Sequence, residues 1–279
     1  MLERLGRNLI LVTATMAAII VGILIATIFL TMLGNAGNVE MSEYFSTYMS
    51  GTIGIVLGTC ILWLYMKRSD RWNVCLNTKE EVYVKMMCVY SLVAVCICRF
   101  VFEVVSTFVL SRLMPNMAGY IPRGITEFDK TMNVMENLIV TVSSIVIAPV
   151  SEEILFRKCL YGSLKKEFGV AAAMILTSIL FAVLHGYGVQ GFLSCALAGF
   201  IFACLYEKTG NIWYSIAAHL LCNVVAYLSS YMEKIKVFGK PLRYEVNGYY
   251  TYHTGIFIIA IFIVLYCFIR FWVKGTMKK

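Results

Sequence analysis

Charge is what this sequence has least of. Charged residues make up 14% of the chain, against roughly 25% in a soluble domain. Hydrophobic residues reach 60% and the mean hydropathy is +0.78. An ordinary soluble domain is excluded before any motif is read. At 279 residues the chain suits one compact multi-helix bundle, with no room for a large soluble domain. The net charge of +8 would suggest nucleic acid in a soluble protein. Here the basic residues cluster at the ends of apolar runs, where lipid headgroups and membrane orientation account for them. The ten cysteines contain no CxxC pair. Most lie inside apolar runs (Cys60, Cys88, Cys96, Cys98, Cys195, Cys204, Cys222 and Cys267) and read as small packing residues. HExxH and GxSxG are both absent, as are internal repeats and low-complexity tracts. The first apolar run follows Arg4 and Arg7 without a small-residue cleavage site after it, so it reads as a retained span.

What is present is a series of segments near the 20 or so apolar residues that cross a bilayer. Eight are expected, at about 9–33, 48–66, 83–110, 134–156, 169–187, 189–206, 211–230 and 255–273, giving an all-α, polytopic transmembrane helix bundle. The chain divides into N-terminal helices over 1–133, a central core over 134–230, and a loop with a final helix over 231–279. Lys67, Arg68, Arg71 and Lys79 fill one loop, Arg157, Lys158, Lys165 and Lys166 another, and Lys274, Lys278 and Lys279 the tail. The loop at 34–47 has Glu40 and Glu43 and no cation. This distribution places both termini in the cytoplasm. Against it, Lys234, Lys236, Lys240 and Arg243 would face outside. The loop at 111–133, with Pro115, Pro122 and Gly124, reads as a re-entrant or interfacial piece. Tyr244, Tyr249, Tyr250, Tyr252 and His253 suit an interface belt.

Ionisable side chains inside a membrane span are expensive and mark function by default. Glu152, Glu153 and Arg157 fall within six residues of the fourth apolar run. Residues four apart share a helix face, so Glu153 and Arg157 form an ion pair. Glu152 points about 100° away and is the carboxylate available for chemistry. Pro149 removes a backbone donor just upstream and permits a kink. Phe181 and His185 are four apart, as are His219 and Asn223. With a turn near Phe168 and Gly169, Glu152 lies 16 residues before it and His185 17 after it. Antiparallel helices would bring them level, about 25 Å along each arm. A Glu, two His and an Asn fit one hydrolytic site. Glu152 takes a proton from water, His185 shares in orienting that water, and His219 with Asn223 donates to an oxyanion. Alternatively Glu152, His185 and His219 bind Zn²⁺. The spacing does not choose between the two.

The order Glu152-Glu153-x-x-x-Arg157, Phe181-x-x-x-His185, His219-x-x-x-Asn223 on three apolar runs resembles the CPBP intramembrane proteases, also called the CAAX-protease and bacteriocin-processing (Abi) family. The approaches Ala148–Arg157 (APVSEEILFR) and Tyr206–His219 (YEKTGNIWYSIAAH) are similar too, and the resemblance covers about 134–230. It implies a membrane endopeptidase with an embedded cavity, acting on a membrane-associated or lipid-modified, CAAX-like peptide or protein. It makes Glu152 the base, His185 its water-orienting partner, His219 and Asn223 the oxyanion side, and Glu153, Arg157 and Phe181 supporting residues. Both a zinc mechanism and a metal-independent glutamate mechanism are compatible with it, and the cell membrane is the expected location. In bacteria such relatives are linked to bacteriocin maturation, self-immunity and surface display. A non-enzymatic scaffold or bacteriocin self-immunity protein of the same fold is the alternative. A transporter would need repeated broken helices, which the sequence does not show.

Overall fold

The computed structural model describes residues 2–37, 41–68, 84–104, 111–113, 132–186 and 188–229, with strand residues between 236 and 252. The eighth expected span at 255–273, His253 and nearly all of the loop at 111–133 lie outside these residues. The fold is an all-α bundle. Its helices are α1 (Leu2–Gly37), α2 (Glu43–Arg68), α3 (Val84–Val104), α4 (Val134–Phe168), α5 (Val170–Leu184), α6 (Val189–Thr209) and α7 (Ile212–Ser229). Stretches of α1, α2, α4 and α6 are long and apolar enough to cross a membrane, and shorter apolar stretches occupy α3, α5 and α7. Much of the apolar surface faces outward, including Ile20, Leu24, Ile28 and Phe29 of α1. A membrane protein presents such a surface to lipid, and the chain is an integral membrane protein.

Two compact units divide the chain. One comprises 1–80 and 127–177, the other 81–126 and 178–279. In the first, α1 and α2 pack along their length. Their backbones meet at glycines: a Cβ on Gly22 would come within 2.7 Å of the Gly54 carbonyl oxygen, and one on Gly58 within 2.8 Å of Ile19. Gly54 and Gly58 are four apart on α2, the small-residue spacing by which membrane helices approach closely. Apolar helices gain little from burial against one another in lipid, so van der Waals contact at this seam holds the pair. α2 also packs on α4, and one polar clamp ties their starts together. Asn133 caps α4 in a reciprocal box with Glu136. The other Glu136 oxygen accepts the Ser42 N–H at 3.0 Å, while Ser42 Oγ accepts from Phe45 N–H at the head of α2.

α4 is continuous to Phe168, which corrects the expected end near 156 and the expected loop at 157–168. The loop reading counted Arg157 as a membrane-edge cation. Its charge is instead balanced by Glu153 on the same helix, and the helical backbone runs on through it. Two π-helical stretches, Ser143–Ile147 and Ile154–Tyr161, flank a short α-helical piece, Ala148–Glu153. Pro149 accounts for the first: it has no N–H and its ring crowds the preceding turn, and a widened turn absorbs both. The Ala148 N–H reaches back five residues to Ser143 O. At the proline the helix thus changes register. α4 ends where Gly169 takes φ +81°, a conformation that glycine adopts without steric cost.

In the second unit α3, α6 and α7 pack together around Ala94, Phe202 and Ala218. The α6–α7 turn is written in Thr209-Gly210-Asn211. Gly210 at φ +64° caps α6 in the left-handed region, and Asn211 Oδ1 accepts the Trp213 N–H at 3.0 Å to start α7. Beyond α7 come two small antiparallel ribbons where only a loop was expected. Lys236–Val237 (β1) pairs with Lys240–Pro241 (β2), and Arg243–Val246 (β3) with Tyr249–Tyr252 (β4). Asn247-Gly248 lies between the last two strands, a strong hairpin signal in the sequence.

Candidate active site

The first unit holds the acidic motif. Arg157 Nε lies 3.1 Å from Glu153 Oε2, and both side chains are fully buried. Arg157 also stands 5.8 Å from the Phe156 ring centroid. Glu152, 9% exposed, sits beside this pair. The arginine's ion pair goes to Glu153, as the four-residue spacing predicted. Every residue from Glu152 to Tyr161 is buried or half-buried, so the charges sit within protein and not against lipid. α2 supplies polar neighbours that the sequence did not reveal. Thr59 Oγ1 donates to Ser151 O at 3.3 Å. Tyr48 lies beside Ser144 and Thr52 and within electrostatic reach of Glu152. Nothing in the pattern of α2 sets these residues apart from ordinary polar positions in a span. The same helices border a cavity of ≈ 310 Å³ lined by Thr59, Cys60, Trp63, Ile154 and Lys158.

The second unit holds the histidines. α5 ends at Leu184, so His185 is not on the helix but in its terminal turn, a correction to the expected span at 169–187. Its N–H bonds to Ala182 O at 3.2 Å and that of Gly186 to Val183 O at 3.1 Å, with Gly186 at φ +61°. The last carbonyls of a helix lack intrahelical donors. His185 Nδ1 supplies one, 2.7 Å from Phe181 O. A carbonyl oxygen can only accept, so Nδ1 carries the proton. In the neutral ring Nε2 therefore presents a lone pair. The Phe181 ring packs on the imidazole with centroids 4.5 Å apart. The four-residue Phe–His spacing is thus a capping motif that fixes the ring's tautomer.

His219, 3% exposed, lies on α7. Its imidazole stacks on Phe202 (4.7 Å between centroids, 25° between planes) and meets Phe181 edge-on (5.6 Å, 73°). Asn223 follows one turn later and is half-buried. Phe181, His185 and His219 are therefore brought together within this unit. Phe202 was not anticipated, because one phenylalanine in an apolar helix gives no contrast. Among the described residues no three His, Cys, Asp or Glu side chains group to hold a metal ion, and no disulfide forms among the described cysteines.

Residues 134–225 match a family model described as Type II CAAX prenyl endopeptidase Rce1-like. The chain is 40% identical over 86 residues to the Bacillus subtilis (strain 168) protein named "Putative membrane peptidase YdiL", covering 31% of this chain and 34% of that protein. It is 30% identical over 99 residues to the "UPF0177 protein YxdF" of Lactococcus lactis subsp. lactis (strain IL1403), covering 36% and 53% respectively. The chain thus spans between a third and about half of the length of these relatives. No solved structure matches it significantly.

Proposed function

From the premise that residues 134–225 are a Rce1-like segment on membrane helices, we propose that the protein is an intramembrane endopeptidase. It cuts a peptide bond of a membrane-associated or lipid-modified, CAAX-like peptide or protein by means of glutamate-activated water. The observation that carries this reading is the buried acid motif, in which Arg157 pairs with Glu153 and a second buried carboxylate, Glu152, stands beside them. A structural charge pair needs one acid; the adjacent second one is what hydrolysis uses.

Glu152 removes a proton from water as the water oxygen attacks the scissile carbonyl carbon. His185 accepts a hydrogen bond at Nε2 from the water's other O–H, which stays on the oxygen, and the Nδ1 bond to Phe181 O holds that nitrogen in the acceptor form. The same bond leaves the neutral His185 unsuited to donate to an oxyanion, which supports His219 and Asn223 for that task. As the tetrahedral intermediate collapses, the C–N bond breaks and Glu152 returns its proton to the leaving amine. The apolar cavity with Lys158 at its wall suits the alkyl or isoprenoid part of such a substrate. We place the protein in the cell membrane with both termini in the cytoplasm.

The test is peptidase activity of purified protein on prenylated and unmodified peptides, comparing wild type with Glu152→Gln and Glu152→Ala, with and without chelator. Loss of a hundredfold or more in both variants, with wild-type activity surviving chelation, is the expected result. Loss under chelator, restored by Zn²⁺, would replace the glutamate mechanism with a metal one. Full activity of Glu152→Ala would remove the protease assignment from this site. A cellular phenotype that survives Glu152→Ala would favour a scaffold or immunity role.

A further inference from the structure

We propose that Phe202 on α6 is a positioning residue for His219, and that α6 holds the oxyanion-side imidazole in one orientation. This rests on the reading of His219 as an oxyanion donor. None of the three motifs includes an α6 residue. Yet Phe202, 1% exposed, lays its ring face on the His219 imidazole at 4.7 Å and 25°. Phe181 abuts the same imidazole edge-on. An imidazole held by one face and one edge cannot turn about its Cβ–Cγ bond without displacing a phenylalanine, so its two nitrogens keep fixed directions. Offset stacking and edge-to-face contact are each favoured arrangements for such rings. An oxyanion donor is effective when it needs no reorientation as charge develops.

The position of Phe202 is itself fixed from two sides. Ser215, four residues before His219 on α7, donates Oγ–H to Phe202 O at 2.8 Å. The Phe202 backbone is thereby tied to the helix that carries His219, one turn from the imidazole. On the other side α6 approaches α5 closely at Gly199, where a Cβ would come within 3.2 Å of the Phe181 ring and 3.3 Å of Ser178 Cα. Phe202, Phe181 and the two histidines therefore form one packed group, and the stacked face is the part of it that acts on His219 alone.

The test uses full-length protein. The chain has three histidines, so the ring signals of histidine-labelled protein can be assigned by single substitutions. Phe202→Leu keeps an apolar side chain but removes the aromatic face. The His219 ring protons are expected to move downfield as the ring-current shift disappears, with the His185 signals changed less. On a prenylated peptide that the wild type cleaves, kcat is expected to fall by about ten- to a hundredfold, with KM little changed. Phe202→Tyr, which keeps the face, is expected to restore both readouts. Unmoved His219 signals in Phe202→Leu would overturn the proposal whatever happens to activity. So would unchanged kcat in a Phe202→Leu protein when His219→Ala has lost its activity. Full activity of His219→Ala would instead overturn the oxyanion reading on which the proposal rests.

Discussion

Arg157 and Glu153 have no exposed surface, and this sets the size of the effect expected when either is removed. A buried ion pair gains little over an apolar pair of the same volume, but one partner alone leaves an uncompensated buried charge. Arg157→Met and Glu153→Leu should each destabilise by about 3–5 kcal/mol, and the double variant by less than either. Thermal unfolding in detergent measures this, and an additive double variant would refute it. This pair was legible in the sequence because a four-residue spacing on a helix allows little else. His185 was legible only as to identity. The spacing from Phe181 suggested a shared helix face, whereas the contact is a bond to the Phe181 carbonyl where the helix ends. Sequence spacing locates neighbours, but where a helix stops depends on the following residues, here Gly186 in the left-handed region.

At the scale of elements, the α1–α2 seam is the most sensitive to added volume. A leucine at Gly54 must displace the α1 backbone, since even a Cβ would lie 2.8 Å from Ile23 N. Gly54→Leu is expected to cost at least about 1–3 kcal/mol and to lower the cross-linking yield between cysteines placed along the seam. Leucine at Gly51, whose Cβ position is open, should leave both unchanged. At the α6–α7 turn, Asn211→Ala removes the acceptor for Trp213 N–H and should cost about 1 kcal/mol, read as a lower melting temperature. The order of helices was legible from hydropathy, as was the break between the runs at 189–206 and 211–230. The extension of α4 past residue 156 was not, because Arg157, Lys158, Lys165 and Lys166 read as a loop when their partners are unseen. The π-helical register was not legible either: Pro149 signals a disturbance but not whether the helix bends or widens. Phe202 stayed hidden among seventeen phenylalanines, all of them plausible as lipid-facing or core residues.

At the scale of the molecule, the two units divide the proposed catalytic groups. Glu152 belongs to one, and His185, His219 and Asn223 to the other. The boundary falls inside α5, between Thr177 and Ser178, so one helix contributes to both. Our orientation puts the β1–β4 ribbons outside the cell, even though Lys236, Lys240 and Arg243 lie in them. A reporter that is active only in the cytosol, inserted between β2 and β3, should therefore stay silent, while one at the N-terminus should be active. The reverse pattern would invert the topology.

The four-residue spacing of Glu153 and Arg157 also bears on how the protein is made. An arginine at the centre of a nascent span costs about 2.5–3.5 kcal/mol during insertion. Because its counter-charge lies one turn away on the same segment, neutralisation needs no other helix. The arginine can leave the translocon already paired, before any tertiary contact has formed. Insertion of the isolated 134–168 segment, followed by glycosylation of flanking acceptor sites, should then drop when Glu153 is changed to leucine and recover when Arg157 is changed with it. A pair assembled only after bundle packing would show no such recovery.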